Sequence, residues 1–216
     1  MTTVKICGLM RPGDVGMCVR HGAGIIGFVV DYPHPVPWNL DAIAAKKLIG
    51  FVCGRAKSCV VTGGPPEKTV ELVAKLRPDY VQLHCGESLA DTAAVANGAR
   101  KYGVKIIKTL FPDTPEPEKA AGDFHAAGAD MLLLDPRTPQ NAAAGGSADL
   151  LGYVRLRAAV SCPVILAGGI TPQNAAGLVR DTGAEIIDLM TGVEDAPGVK
   201  SEEKVISLFK ALENKK

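Results

Sequence analysis

The sequence lacks an excess of charge of either sign. Its 216 residues include 24 lysines and arginines against 23 aspartates and glutamates, a formal net charge of +1. Proteins that bind nucleic acid or anionic membranes usually concentrate positive charge, so neither kind of partner is expected. No apolar stretch is long enough to cross a membrane, and the first residues lack the apolar segment of a secretion signal. These absences predict a cytoplasmic protein.

Paired cysteine motifs are also missing. The six cysteines show no CxxC spacing, and most stand beside apolar residues, at positions 7, 18, 53, 59, 85 and 162. Such cysteines are typical of reduced core residues rather than of a disulfide framework. His84 and Cys85 are adjacent, but without a CxxC or HxxxH pair no metal is expected.

What the sequence does contain is a repeated alternation of apolar runs and helix-like segments. The eight runs cover residues 4–7, 25–30, 57–62, 79–84, 104–109, 130–135, 163–168 and 185–190. Eight nearly continuous apolar strands, each followed by a helix, predict a parallel sheet covered on both faces. An open doubly wound sheet is the alternative, but closure leaves no edge strand and favours a (β/α)8 TIM barrel. With no linker or compositional break, residues 1–216 are predicted to form a single α/β domain.

In a barrel of this kind the functional site lies at the C-terminal ends of the strands. Cys7 ends the first run and Asp135 ends the sixth. A thiol and a carboxyl group at one barrel mouth form an acid/base pair with room for a sugar between them. Simpler alternatives are packing for Cys7 and capping of the following turn for Asp135.

Glycine-bearing loops follow the last two runs, LAGGITPQN (166–174) and LMTGVEDAPG (189–198). Backbone N–H groups near glycines, together with a helix N-terminus, form anion sites, and Thr171 and Pro172 are predicted to start that helix. The loops after strands 7 and 8 are the recurrent phosphate site of this fold, although the glycines could simply form tight turns. The predicted phosphate-binding residues are Gly168, Gly169, Thr191 and Gly192.

Lys5 shares a strand face with Cys7, because residues two apart on a strand point the same way. In a closed barrel the first strand pairs with the eighth, which carries Asp188. We expect Lys5 to form an ion pair with Asp188, since a buried lysine needs a partner. The competing role is stabilisation of the Cys7 thiolate.

Five motifs, taken in order, resemble those of phosphoribosylanthranilate isomerases, a family of the tryptophan pathway. They are KICGL (5–9), VQLH (81–84), LLLD (132–135) with GGS (145–147), ILAGGITPQN (165–174) and TGVEDAPGVK (191–200). The resemblance covers nearly the whole chain and implies a (β/α)8 barrel that needs no cofactor. It implies a cytoplasmic isomerase, monomeric or homodimeric, that acts on a small phosphoribosyl substrate. The reaction would be the Amadori rearrangement of N-(5-phosphoribosyl)anthranilate to 1-(2-carboxyphenylamino)-1-deoxyribulose 5-phosphate.

The resemblance also implies roles for individual residues. Asp135 would be the general acid that opens the ribose ring, and Cys7 the general base that removes the C2′ proton. The phosphate would rest on the two glycine-bearing loops. Further candidate substrate-binding residues are Lys5, Gln82, His84 and Arg137.

The loop after the second run departs from the family pattern. Val36 stands where the family usually has an arginine for the anthranilate carboxylate, and valine cannot replace such a contact. Arg137 is the candidate replacement if its loop folds inward, and Tyr32 and Trp38 are candidates for stacking on an aromatic ring. The loop after the eighth run reads LMTG instead of two serines before glycine. The same chemistry on another N-substituted phosphoribosylamine, or a non-catalytic phosphosugar-binding barrel, therefore stay open as alternatives.

Overall fold

The computed structural model describes residues 2–141 and 146–213, and in it eight parallel strands close into a barrel. The strands are β1 (Thr3–Ile6), β2 (Ile25–Val29), β3 (Lys57–Thr62), β4 (Tyr80–Leu83), β5 (Lys105–Leu110), β6 (Met131–Leu134), β7 (Val164–Ala167) and β8 (Ile186–Leu189). Neighbours in the chain are neighbours in the sheet, and β1 pairs with β8. The predicted barrel is confirmed, and the open sheet is wrong. Gly145 of the GGS motif lies outside the described residues.

A helix comes after each of the eight barrel strands in the described chain. The helices are α1 (Pro12–Arg20), α2 (Ala42–Val52), α3 (Pro66–Leu76), α4 (Leu89–Arg100), α5 (Pro117–Ala126), α6 (Leu150–Ala159), α7 (Ala175–Thr182) and α8 (Glu202–Glu213). Proline starts three of them, where its missing N–H costs nothing, and Asp41, Ser88 and Asp149 cap three others through their side chains. Within the described ranges, no helix is both long and apolar enough to cross a membrane.

The predicted helix start at Thr171 and Pro172 is wrong, because α7 begins at Ala175. The Asn174 side chain explains the delay. Its oxygen accepts the Thr171 backbone N–H at 2.8 Å, and its amide donates to the Gly169 carbonyl at 2.9 Å. These bonds hold the segment in a turn, as asparagine side chains often do.

A short hairpin that the sequence did not predict follows β8. Residues 191–193 form one 3₁₀ turn, after which β9 (Glu194–Ala196) pairs antiparallel with β10 (Val199–Lys200). The strands are too short and too polar to produce a recognisable apolar run. The hairpin brings Glu194 and Lys200 towards the mouth of the barrel.

Alternate residues of each strand face two different cores. Ile6, Ile26 and Phe28 pack outward against the helices, whereas Cys7, Ile107 and Ile165 belong to the inner cluster of the barrel. This alternation follows from the two-residue period of a strand. It places the side chains of Lys5 and Cys7 inside the barrel, as predicted.

The barrel closes through an ion pair. Lys5 lies directly opposite Asp188 in the β1–β8 register, and Lys5 Nζ is 3.0 Å from Asp188 Oδ2. Both side chains are buried, so the predicted pair is confirmed. Burial by itself lowers the pKa of Lys5, but the charge and hydrogen bond of Asp188, together with the nearby Cys7 and Cys59, outweigh it and raise that pKa. Lys5 is therefore charged inside the barrel.

Lys5→Met should lower the free energy of unfolding by about 3–5 kcal/mol, because it leaves a buried carboxylate without its partner. Lys5→Met combined with Asp188→Leu should recover much of that loss, since no charge then remains at the seam. Denaturant unfolding of the single and double variants measures both effects. Lys57→Met is the matched control: its exposed ammonium pairs with Asp79 at the surface, and the cost should stay within about 1 kcal/mol. Equal costs at the two lysines would contradict a structural role for the buried pair.

Candidate active site

A cavity of about 440 Å³, counted with its open mouth, lies at the C-terminal end of the barrel. Its lining combines apolar and aromatic side chains with a few polar ones. The lining residues are Cys7, Val29, Tyr32, Val36, Trp38, Val61, Gln82, His84, Asp135, Arg137, Asp188 and Met190. An apolar pocket with a few convergent polar groups is the usual form of a small-molecule site.

The structure brings half of the ten predicted site residues into this cavity. The residues in question are Cys7 after β1, Gln82 and His84 at the end of β4, and Asp135 and Arg137 after β6. Lys5 lies deeper in the barrel, fully buried below Cys7. The four residues predicted to bind phosphate follow β7 and β8 and are not among the lining residues, although Thr191 directly follows Met190 of the lining.

Cys7 is buried beneath the mouth, with its thiol against β2. A Cβ built on Gly27 would lie 2.7 Å from Cys7 Sγ, so the absence of a side chain there makes room for the sulfur. Burial raises the pKa of Cys7, and Asp188 adds to the rise, while the Lys5 ammonium opposes it. Because Lys5 is shared with Asp188, the thiol is the dominant form in the unliganded protein.

Asp135 is almost completely buried and held by Arg137 in three places. The Arg137 backbone N–H donates to Oδ1 at 2.9 Å, and its guanidinium donates to Oδ1 at 2.9 Å and to Oδ2 at 2.8 Å. The first bond is the turn-capping contact considered from sequence. Burial tends to raise the pKa of Asp135, but the Arg137 bonds and charge together outweigh it and lower that pKa. The loop carrying Arg137 does fold inward, yet its guanidinium is already occupied.

His84 connects Asp135 to a polar chain across the barrel mouth. His84 Nδ1 lies 3.1 Å from both Gln82 Nε2 and Thr109 Oγ1, and its Nε2 lies 4.0 Å from Asp135 Oδ2. Burial lowers the pKa of His84 to about 4, despite the opposing effect of Asp135. The imidazole is therefore neutral at physiological pH. Within the described residues, Gln82 Oε1 and Asp188 Oδ1 are buried without a hydrogen-bond partner, which leaves two acceptors on the cavity lining.

An aromatic wall closes the cavity on the side of β2. Trp38 Nε1 donates to Glu194 at 3.1 Å, and Glu194 also accepts from Lys200 Nζ at 2.6 Å. The Tyr32 hydroxyl donates to the His84 carbonyl at 2.9 Å. Sequence reasoning missed Glu194 and Lys200, although both lie within the TGVEDAPGVK motif that carries the resemblance.

The two glycine-bearing loops run side by side, as the phosphate prediction requires. Gly168 and Gly169 have φ values of 102° and 59°, a region that favours glycine. A Cβ on Gly192 would collide with the Ile170 carbonyl oxygen, and one on Gly169 with the Gly146 carbonyl oxygen. The tight-turn explanation therefore accounts for part of the glycine content. Phosphate binding itself stays a prediction.

Charge at the cavity is unevenly distributed. Among the lining residues that the structure describes, Arg137 is the one cation at neutral pH, since His84 is neutral. Val36 lines the cavity and offers no charge. In the described ranges, no group of three or more His, Cys, Asp or Glu side chains has a geometry that could hold a metal ion.

Comparison with known proteins agrees with this arrangement. The family model described as N-(5'phosphoribosyl)anthranilate (PRA) isomerase matches residues 4–211. An N-(5'-phosphoribosyl)anthranilate isomerase of Nitrobacter hamburgensis is 36% identical over 200 residues, which cover 91% of this chain and 86% of that protein. The crystal structure of the phosphoribosyl anthranilate isomerase from Thermus thermophilus aligns with a TM-score of 0.83 and 29% identity, covering 98% of both chains.

A further solved structure shares the fold at lower identity. It is a phosphoribosyl anthranilate isomerase in complex with reduced 1-(o-carboxyphenylamino)-1-deoxyribulose 5-phosphate, with a TM-score of 0.78, 24% identity and 99% coverage of both chains. The family match spans the barrel from β1 into α8, including both Cys7 and Asp135. With a curated relative above 30% identity over most of both sequences, the chain belongs to the N-(5'-phosphoribosyl)anthranilate isomerase family.

Proposed function

We propose that this protein catalyses the Amadori rearrangement of N-(5'-phosphoribosyl)anthranilate to 1-(o-carboxyphenylamino)-1-deoxyribulose 5-phosphate, a step of tryptophan biosynthesis. The observation that carries the proposal is the placement of a thiol, Cys7, and a carboxyl group, Asp135, in one cavity of a chain from this family. The reaction moves a pair of electrons within the substrate: C1′ is reduced and C2′ is oxidised. It therefore needs proton transfer, but no external oxidant or reductant.

In the first step Asp135 acts as the general acid. It donates a proton to the ribose ring oxygen, the bond from that oxygen to C1′ breaks, and the nitrogen lone pair forms a Schiff base. The ring oxygen leaves as the 4′ hydroxyl group. Positioned proton transfer of this kind typically accelerates a reaction by about 10²–10⁴-fold.

In the second step the Cys7 thiolate acts as the general base. It removes the proton from C2′, and the electron pair moves into a C1′–C2′ double bond while the iminium nitrogen becomes neutral. The enolamine then gains a proton at C1′ and loses one from the 2′ oxygen, which yields the ketone. The unpartnered oxygens of Gln82 and Asp188 are suitable acceptors for ribose hydroxyl groups.

The substrate phosphate is proposed to bind Gly168, Gly169, Thr191 and Gly192 where the loops after β7 and β8 meet. Tyr32 and Trp38 form a wall suited to the aromatic ring.

The six described cysteines are all free thiols, which supports the proposal of a cytoplasmic enzyme. We likewise propose that residues 1–216 form one domain that acts as a monomer or homodimer.

A different aglycone is the second candidate. It is favoured by Val36, which leaves the cavity wall apolar where the ring would lie, and by the engagement of Arg137 with Asp135. A purely binding barrel is less well supported, because phosphosugar binding alone requires neither Cys7 nor Asp135. Turnover of phosphoribosylanthranilate, followed by the loss of its fluorescence, separates the first candidate function from the other two.

Cys7→Ala and Asp135→Ala should each lower kcat by about 10²–10⁴-fold with a smaller change in KM, as expected for groups that transfer protons. Cys7→Ser should also be poor, because a hydroxyl group is a far weaker base than a thiolate. Steady-state kinetics with phosphoribosylanthranilate measures the effect. Cys53→Ala and Asp113→Ala, at exposed positions, are the controls and should behave as wild type. A Cys7 or Asp135 variant with unchanged turnover would remove that residue from the mechanism.

The pH dependence of kcat/KM should show a broad plateau across neutral pH. The active form, with neutral Asp135 and ionised Cys7, has as many protons as the dominant form, with ionised Asp135 and neutral Cys7. The fraction of enzyme in the active form is therefore constant between the pKa of Asp135 and the pKa of Cys7. Because burial raises the pKa of Cys7, the alkaline decline should lie above the ordinary thiol value of about 8.5. Rates from mildly acidic to strongly alkaline pH measure the profile, and a decline centred at or below that value would contradict the assignment.

The loops after β7 and β8 should bind inorganic phosphate in a soaked crystal. Gly192→Ala should raise KM, because its new Cβ would push the Ile170 carbonyl and separate the two loops. Gly177→Ala on α7 is the matched control, since a Cβ there meets nothing closer than Arg180 Nη2 at 3.6 Å. Phosphate bound elsewhere, with both loops empty, would show that the glycines serve only the turns.

A further inference from the structure

The proposed reaction places two requirements on the site that its unliganded arrangement does not meet. A general acid must carry a proton when the ring oxygen needs it. Arg137 instead donates three hydrogen bonds to the Asp135 oxygens, an arrangement that favours the ionised carboxylate. The unliganded site is therefore set against the first step of the proposed reaction.

The aglycone adds a second requirement. Anthranilate carries a ring carboxylate, and a carboxylate that leaves water needs a cation or several hydrogen bonds. The three lysines that are buried within the described residues are already paired, Lys5 with Asp188, Lys108 with Glu87 and Lys200 with Glu194. Arg137 is thus the cation on the cavity lining that can meet the ring carboxylate.

We propose that Arg137 exchanges partners, holding Asp135 in the unliganded enzyme and moving to the aglycone carboxylate when substrate binds, which releases Asp135 to become the acid. This inference rests on the proposed function. Both arrangements pair the planar guanidinium with a carboxylate through two parallel bonds, so the exchange replaces one contact with another of similar strength.

The surroundings of Arg137 are compatible with such a movement. Its side chain is 15% exposed and borders the open mouth, whereas the Asp135 side chain is only 2% exposed. A Cβ on Gly146 would lie 3.5 Å from Arg137 Cγ, so the glycine leaves the stem of the arginine without an opposing side chain. The fixed member of the pair is the aspartate, and the member at the rim is the arginine.

Once the Arg137 guanidinium leaves, the backbone N–H of that residue still donates to Asp135 Oδ1, but burial, the largest effect on this carboxyl group, favours the neutral form without an opposing cation. His84 on the β4 side is neutral, and Asp188 on β8 is an anion whose charge is balanced by Lys5 of β1. Tyr32, after β2, is a neutral phenol, and the thiol of Cys7 is neutral as well. A buried carboxylate that loses its cation has a raised pKa.

Protons balance through this exchange. Asp135 takes up one proton and Cys7 gives one up, so the total bound to the protein is unchanged before chemistry begins. Asp135 then passes its proton to the ring oxygen, and Cys7 accepts one from C2′. The exchange makes Arg137 a positioning and specificity-determining residue: substrates with an anionic group on the aglycone activate the acid, and neutral ones do not.

Two pairs of ligands test the exchange. The substrates are phosphoribosylanthranilate and the phosphoribosylamine of aniline, which lacks the ring carboxylate. The binding probes are their reduced, unreactive products. Carboxyl ¹³C NMR on aspartate-labelled enzyme, assigned with Asp135→Asn, measures the pKa of Asp135 in each complex.

We expect the carboxylated probe to raise the pKa of Asp135 and the aniline probe to leave it low. In Arg137→Gln, the KM for phosphoribosylanthranilate should rise roughly ten- to a hundredfold, the worth of a lost charge-assisted contact. For the aniline substrate we expect the opposite response. Its kcat should be higher in Arg137→Gln than in wild type, because the arginine side chain no longer holds Asp135 in the ionised form. If the substitution merely damaged the structure, kcat would fall for both substrates.

Arg137→Gln combined with Val36→Arg separates the two tasks of the arginine. A cation supplied from position 36 should restore much of the KM for phosphoribosylanthranilate while Asp135 remains unclamped. Arg155→Gln is the matched control, because its guanidinium pairs with Glu118 at the surface, and both substrates should be unaffected.

The possible failures are distinguishable. A wild-type enzyme that does not turn over phosphoribosylanthranilate would refute the proposed function itself. Normal turnover, together with an Asp135 pKa that the carboxylated probe does not move, would overturn the exchange alone. So would an Arg137→Gln variant that loses activity equally on both substrates, or a crystal of the carboxylated complex with Arg137 still on Asp135.

Discussion

The contact that closes the barrel between β1 and β8 orients the residues of the active site. Lys5 and Asp188 lie opposite each other there and form a buried ion pair. The pair requires that the odd-numbered residues of β1 face inward, because a shift of one residue would turn Lys5 towards the helices. The same register places Cys7 under the mouth and Met190 at the rim.

Pairing of buried charges also determines the electrostatics of the active site. Each lysine buried in the described barrel has its own acidic partner, and His84 is neutral because it is buried. Desolvation is costly enough that an unpaired cation would not persist there. What remains for a ligand is Arg137 at the rim, the residue for which we propose a change of partner when substrate binds.

The loops above the strands are held by contacts between distant parts of the chain. Trp38, after β2, is bonded to Glu194 of the hairpin after β8, and that carboxylate is bonded to Lys200. Glycines let the backbones after β6, β7 and β8 approach one another without side chains between them. The aromatic wall and the proposed phosphate loops are therefore parts of one connected rim, on which both ends of the substrate would rest.

The eight strands, their closure into a barrel and the residues at their C-terminal ends were predictable from the sequence. Apolar runs with a two-residue alternation are local patterns, and closure follows from their number, so the Lys5–Asp188 pair was also predictable. The delayed start of α7 has a local cause that the cap pattern at Thr171 did not reveal: the Asn174 side chain bonds to the backbone of residues three and five positions earlier. The Trp38–Glu194 contact and the bonds from Arg137 to Asp135 depend instead on tertiary structure. The former joins residues 156 positions apart, and the latter depend on which of several rotamers a long side chain adopts once its loop is folded. Local sequence patterns carry no record of such choices, because packing of the complete barrel selects among them.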